Sequence, residues 1–251
     1  MPRLKLVVAY EGTDFAGWQF QPEQRTVQGE LERALSSICG RDVRVHGAGR
    51  TDAGVHALGQ VAHCDVPERR TGVDWPRALS SMLPDDLAVL AAEPAAQDFH
   101  ARKHALSKTY VYSLAVERRY DLPQRRRFAW ATGPLDKTAM KRAAAHLVGR
   151  RDFAGFMNLG TPVNSTVRAL ELAEGRAGTF PGEVDWVFKA DGFLKQMVRN
   201  MVGLLAEVGR GKLDPDRVPQ VLALADRDKA PYATAPAHGL CLAEVAYPER
   251  T

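Results

Sequence analysis

The sequence predicts an α+β fold in two consecutive halves built on mostly antiparallel sheets. Three observations carry that prediction. Strand-like and helix-like segments interleave along all 251 residues. The order strand, loop, helix, strand is met twice, dividing near residue 104 into halves 1–104 and 105–251. Connections between successive strands are often shorter than the dozen or so residues that a parallel crossover needs. A hydrophobic content of 45% is enough for a sizeable core.

The first half opens with a strand, LKLVVAY (Leu4–Tyr10), followed by the glycine-rich, aromatic loop EGTDFAGWQFQPEQR. From Thr26, a suitable N-cap, Val27, Leu31, Ala34, Leu35 and Ile38 recur at helical spacing, and Gly40 stops the helix. DVRVHG (Asp42–Gly47) and GQVAHCDV (Gly59–Val66) read as strands, so the GAGRTDAGVHA segment (Gly47–Ala57) joins two strands. VDWPRALSSMLP (Val73–Pro84) reads as a helix ended by proline, and LAVLAAEP after it as a strand.

The second half starts with the strand KTYVYSLAV (Lys108–Val116) and an arginine-rich loop, followed by the helix LDKTAMKRAAAHLVG (Leu135–Gly149). STVRALELAE (Ser165–Glu174) and EVDWVFKAD (Glu183–Asp191) are strand candidates. A long helix, FLKQMVRNMVGLLAEVG (Phe193–Gly209), precedes a final strand, LCLAEVAY (Leu240–Tyr247).

Composition excludes several classes. The longest uninterrupted apolar stretches, Leu6–Tyr10 and Leu87–Ala92, are far too short for a membrane span or signal-peptide core, so a cytoplasmic protein without membrane partners is expected. Cys39, Cys64 and Cys241 are odd in number and widely spaced, which argues against a disulfide framework and a zinc site. The net charge of +4 is small but concentrated: ERRYDLPQRRRFAW (Glu117–Trp130) holds Arg118, Arg119, Arg125, Arg126 and Arg127 with Tyr120, Phe128 and Trp130. That mixture suits phosphates and exposed bases, and equally a solvated loop.

The glycine-rich loop fails as a phosphate cradle. Asp52 stands at the third glycine position of a G-x-G-x-x-G pattern, no Lys-Ser or Lys-Thr follows, and a strand rather than a helix comes next. His46, His56 and His63 lie nearby without a ligand spacing, so no metal is expected. Two readings stay open. The loop either holds the Asp52 carboxylate against a planar group with Arg50 beside it, or is a strand-to-strand turn whose aspartate bonds backbone amides.

Two further segments bear on that choice. In the long helix Gln196, Arg199, Asn200 and Gly203 form a narrow polar stripe, and Lys195 precedes Arg199 by one turn, a like-charge pair that an anion would relieve. Gly203 implies close approach by another group, for which Asp52 is a candidate. In DFHARKHALSKTYVY (Asp98–Tyr112), Tyr110 and Tyr112 share one strand face beside His100, Arg102, Lys103 and Lys108, which suits stacking on unpaired bases or ordinary core packing.

GRTDAGVHA, FHAR, KTYVY and MVRN, in this order and together with YEGTDFAGWQ, TVQGELERAL and STVRAL, closely resemble the tRNA pseudouridine synthase A family over nearly the whole chain. The resemblance implies two ferredoxin-like halves around a basic cleft. It implies a homodimer that acts on tRNA without metal or cofactor, isomerising uridine at positions 38–40 of the anticodon stem-loop. Asp52 is then the essential catalyst, Tyr110 stacks on the target base, and Arg199 pairs with the aspartate. Arg50 is associated with flipping the base out, and Arg102 and Arg70 match tRNA-contacting positions. Lys103, Lys195 and Gln196 stand where the family more often has other residues.

The chemistry is consistent with these residue types. Uridine and pseudouridine are isomers: the glycosidic bond to N1 breaks, the uracil turns, and C5 bonds to the sugar. One carboxylate and a water-excluding pocket suffice, whereas glycoside hydrolysis uses two carboxylates. A base within a stacked stem must be flipped out at a cost of a few kcal/mol, which contacts to the RNA backbone must offset; Arg102 and the arginine loop are the candidates. Two other classes compete: a noncatalytic RNA-binding module, which gains nothing from Asp52, and a nucleosidase, which would need a second acid.

Overall fold

The structure, a computed structural model, describes residues 1–70, 72–158, 160, 163–224 and 226–248, apart from the side chains of Tyr120 and Asp228. Tyr120, counted above with the basic loop, thus has its ring outside the described residues. The chain forms two compact units, one comprising Met1–Leu106 and the chain end from Cys241, the other Ser107–Leu240. The sequence reading counted that chain end with the second half. It joins the first because the last strand, Leu240–Ala246, runs parallel to a first-unit strand with Cys241 opposite His56 and Leu242 opposite Ala57.

The first unit contains β1 (Arg3–Tyr10), α1 (Val27–Cys39), β2 (His46–Gly47), β3 (His56–Asp65), α2 (Trp75–Ser80) and β4 (Leu87–Ala95). Alternation along β1 sends Leu4, Leu6, Val8 and Tyr10 into the core. The strand order β4-β1-β3-β2 is antiparallel throughout. With a helix after β1 and another after β3, this is the β-α-β-β-α-β order of a ferredoxin-like half.

Helix α1 begins where Thr26 accepts a hydrogen bond from the Gly29 amide, 3.2 Å, and ends at Gly40 with φ of 67°. Val27, Leu31, Ala34, Leu35 and Cys39 form its buried face; Ile38, expected there, is only half-buried. The expected strand over Asp42–Gly47 shrinks to His46–Gly47. Val43 and Val45 are buried, but their amides donate to the Ser36 hydroxyl and the Glu32 carboxylate of α1 instead of a neighbouring strand. The helix expected over Val73–Pro84 likewise spans only Trp75–Ser80.

The second unit contains β5 (Ser107–Ala115), β6 (Trp130–Ala131), α3 (Lys137–Ala145), β7 (Gly149–Asp152), β8 (Val167–Ala177), β9 (Glu183–Ala190), α4 (Met197–Gly209) and α5 (Val218–Ala223). Its strands lie in the order β5-β9-β8-β7, all antiparallel, with β6 added parallel to β5. Tyr112, Leu114, Trp186, Phe188 and the apolar face of α4 fill the core.

Helix α4 starts four residues later than its hydrophobic pattern suggests. Gln196 has φ of 60°, a left-handed conformation that a helix cannot contain, so it caps the helix and Phe193–Lys195 lead into it. Lys195 and Arg199 therefore are not a like-charge pair within one helix, and the expected stripe does not begin at Gln196.

Candidate active site

In the first unit the site is a loop between two hydrogen-bonded strands. Ala48 donates to the Val61 carbonyl, 2.7 Å, carrying the β2 pairing one residue further, and Val55 donates to the Asp52 carbonyl, 3.2 Å, closing a turn. That turn passes through Gly54 at φ of 78°, a conformation glycine adopts without steric cost. Arg50 is exposed and Asp52 is half-buried on this turn.

The early segment EGTDFAGWQ wraps the loop. A Cβ on Gly12 would lie 2.0 Å from the Val55 carbonyl oxygen, and one on Gly47 2.5 Å from the Trp18 indole, so both glycines are required by close approach. Trp18 donates its amide to the Thr51 carbonyl, 3.1 Å, and Gly12 donates to His56 Nδ1, 2.9 Å. Tyr10 Oη and Thr51 Oγ1 share a buried hydrogen bond of 2.9 Å, and Gln60 Nε2 donates to the Gly49 carbonyl, 2.9 Å. Sequence reading missed Tyr10, Thr51 and Gln60; the available signal was a polar residue, Gln60, beside the buried apolar Val61 and Ala62 of β3.

The FHAR segment is held by histidines. The ring of His63 stacks on His46 at 5.0 Å and lies 4.7 Å from His100, and its Nδ1 accepts the Ala101 amide, 3.1 Å. Burial, with the neighbouring His100 and His46, lowers the His63 pKa to about 4, so the ring is a neutral acceptor. Arg102 is exposed beyond this anchor, its amide donating to His100 Nδ1, 3.2 Å. Arg70 ends the turn Glu68–Arg70, beside Arg69, whose guanidinium donates to the Cys39 carbonyl at the end of α1. Among the described residues no cluster of three or more His, Cys, Asp or Glu side chains is placed to hold a metal ion.

In the second unit Tyr110 lies on β5 opposite Phe188; the residue is 7% exposed and its ring is edge-on to Phe193 at 5.1 Å. Tyr112, two residues on, is a core residue: its hydroxyl donates to the Pro236 carbonyl, 2.8 Å, and its ring covers Gly239. Arg199 on α4 donates through Nε to the Ala235 carbonyl, 2.8 Å, and accepts the Ala235 amide at its own carbonyl, 3.1 Å. Its charge is felt at Tyr112 and at His238, whose pKa burial lowers.

The polar stripe of α4 turns inward. Asn200 is fully buried, donating to the Phe156 carbonyl, 2.8 Å, and to Asn158 Oδ1, 2.9 Å, and accepting from the Thr234 hydroxyl, 2.7 Å. The group that approaches Gly203 is the Ala233 carbonyl, 2.0 Å from where a Cβ would stand, which replaces the expectation that Asp52 fills that role. Arg50 and Asp52 thus share one loop of the first unit, while Tyr110 and Arg199 belong to the second.

The described residues thus set a half-buried carboxylate two positions from an exposed arginine on a fixed loop of a ferredoxin-like half. The family model described as tRNA pseudouridine synthase matches residues 6–102 and 143–248. A protein of Solidesulfovibrio magneticus named tRNA pseudouridine synthase A is 54% identical over 252 residues, covering 98% of this chain and 92% of that protein. Proteins of the same name from Maridesulfovibrio salexigens and Nitratidesulfovibrio vulgaris strain Hildenborough are 51% and 49% identical, each aligned with 99% of this chain and with 92% and 97% of their own lengths. Among solved structures, a chain of a Cbf5-Nop10-Gar1 complex is similar with a TM-score of 0.37 and 11% identity, covering 80% of this chain and 53% of that one. The chain belongs to the tRNA pseudouridine synthase family, isomerases of uridine in tRNA.

Proposed function

We propose that this synthase converts uridine to pseudouridine at positions 38–40 of the anticodon stem-loop, acting as a cytoplasmic homodimer. Asp52 is the catalyst, Tyr110 the ring that stacks on the target base, and Arg199 the cationic partner of the aspartate. Arg50 takes part in flipping the base from its stack, and Arg102, Arg70 and the arginine loop contact the RNA backbone. The observation that carries this reading is the Asp52 turn: a half-buried carboxylate next to exposed Arg50, on a loop fixed by buried contacts.

The chemistry follows from what the reaction conserves. The base leaves the sugar at N1 and returns through C5; C5 loses its proton to solvent and N1 takes one up. The product is therefore an isomer, with no net change in atoms or electrons. A single anionic side chain, held in a fixed direction, can act as nucleophile or set off proton removal. Water must be kept from the detached base, which a stacking ring assists.

The test uses tRNA transcripts tritiated at uridine C5. Wild-type protein is expected to release tritium into water, with the label lost from positions 38–40, while Asp52→Asn slows release by roughly 10³-fold or more yet still binds tRNA. Equal release by both proteins would remove Asp52 from the catalytic role. Binding without release from any transcript would favour a noncatalytic RNA-binding module.

A further inference from the structure

We propose that Tyr10, Thr51 and Gln60 form a buried brace whose task is to aim Arg50 and Asp52, a positioning role separate from the chemistry of the aspartate. It rests on the reading of Asp52 as the catalytic group. The three residues are 5%, 7% and 0% exposed. They grip the loop at alternate residues: Gln60 Nε2 binds the carbonyl of Gly49, just before Arg50, and Tyr10 Oη binds the hydroxyl of Thr51, between Arg50 and Asp52. Gly49 and Thr51 are tied inward, while exposed Arg50 and half-buried Asp52 alternate with them.

The brace stands on a rigid support. Burial raises the Tyr10 phenol well above its ordinary pKa, against smaller opposing effects of Thr51 and Gln60, so it remains protonated at every working pH. Tyr10 and Gln60 stand on adjacent paired strands, β1 and β3, with Val8 opposite Gln60 and Tyr10 opposite Ala57. A second layer holds the same residue by its backbone: Trp18 donates to the Thr51 carbonyl, and a Cβ on Gly17 would lie 2.7 Å from that oxygen.

Packing alone does not account for this arrangement. Gln60 Oε1 is buried without a hydrogen-bond partner, a cost that an apolar side chain at this core position would avoid. The turn itself already has Gly54 and the Val55 to Asp52 hydrogen bond to set its shape. What the hydroxyl pair adds is direction, and a misplacement of about 1 Å in a reacting group can cost about 10²-fold in rate.

The test measures single-turnover tritium release and tRNA binding for Tyr10→Phe, Thr51→Val, their double variant and Thr51→Ser, with Asp52→Asn as reference and thermal unfolding recorded for each. Tyr10→Phe and Thr51→Val are expected to slow release roughly 10- to 100-fold with binding changed less than about twofold. The double variant should be no slower than the slower single one, because both remove one bond. Thr51→Ser, which keeps the hydroxyl, should restore most of the rate. Wild-type rates in both single variants, losses that multiply in the double, or losses of rate matched by equal losses of binding would overturn the brace. Undiminished release by Asp52→Asn would instead overturn the reading on which it rests, whereas an inactive Asp52→Asn beside active Tyr10→Phe and Thr51→Val would remove the brace alone.

Discussion

A neutral imidazole at position 63 links a strand to the segment that carries Arg102, since its Nδ1 accepts the Ala101 amide while its ring stacks on His46. That bond needs the unprotonated ring. Burial first, then the charges of His100, His46 and Arg3, depress the folded pKa to about 4, against a small opposing effect of Asp65. The unfolded chain, with an ordinary histidine near 6.5, therefore binds the proton more readily between those limits. Stability from this group is complete above about pH 6.5 and falls as pH drops toward 4, by at most about 3 kcal/mol. Urea unfolding of the wild type and of His63→Gln at pH 7.5 and 4.5 checks the sign: the wild type should lose more stability on acidification. Equal losses would mean that His63 titrates normally. Tyr110 makes a different point at the same scale, because a residue only 7% exposed was as legible as core packing as it was as a stacking face.

Among the elements, α4 ties its own packing to the placement of Arg199. Gly203 lets the Ala233 carbonyl approach, and Ala235, two residues on, exchanges two hydrogen bonds with Arg199. Gly203→Ala would set a methyl 2.0 Å from that carbonyl, so the Ala233–Ala235 backbone must shift. The expected cost is roughly 1–3 kcal/mol in urea unfolding, with a fall in tritium release because Arg199 loses its anchor. Unchanged stability would show that the segment yields freely. Elements whose pattern is local were legible in the sequence: α1 has its cap, apolar face and glycine stop within fifteen residues, and β1 alternates cleanly. The start of α4 was not, because Gln196 adopts a left-handed conformation that nothing in its residue type demands. The shortening of the Asp42–Gly47 strand was also hidden, since Glu32 and Ser36 of α1 take the amides that another strand would have bound. Asp52 and Arg50 stood out by residue type within one loop. Tyr10 and Thr51 are 41 positions apart, and only the pairing of β1 with β3 relates them.

Over the whole molecule a net charge of +4 is too small to hold a polyanion by itself, so RNA affinity depends on where the arginines stand and which already have partners. Arg125 is committed internally. Its guanidinium binds both Glu183 oxygens, at 2.8 and 3.0 Å, and lies 4.4 Å from the centre of the Phe180 ring. The Glu183 side chain is 1% exposed, so Arg125→Ala would leave a buried carboxylate uncompensated. Arg126 is 66% exposed and only 3.7 Å from Asp121, a contact weak enough to exchange for a phosphate. Neighbouring arginines of one loop should therefore fail in opposite ways. Arg125→Ala is expected to lower the unfolding midpoint markedly. Arg126→Ala should leave that midpoint within experimental scatter and weaken tRNA binding, with the slope of log affinity against log salt reduced by about 0.7–0.9, the signature of one phosphate contact. Titrating tRNA binding at several salt concentrations for the wild type and Arg126→Ala decides the matter. An unchanged slope would take the arginine loop out of the RNA interface and leave backbone binding to Arg102, Arg70 and the remaining basic surface.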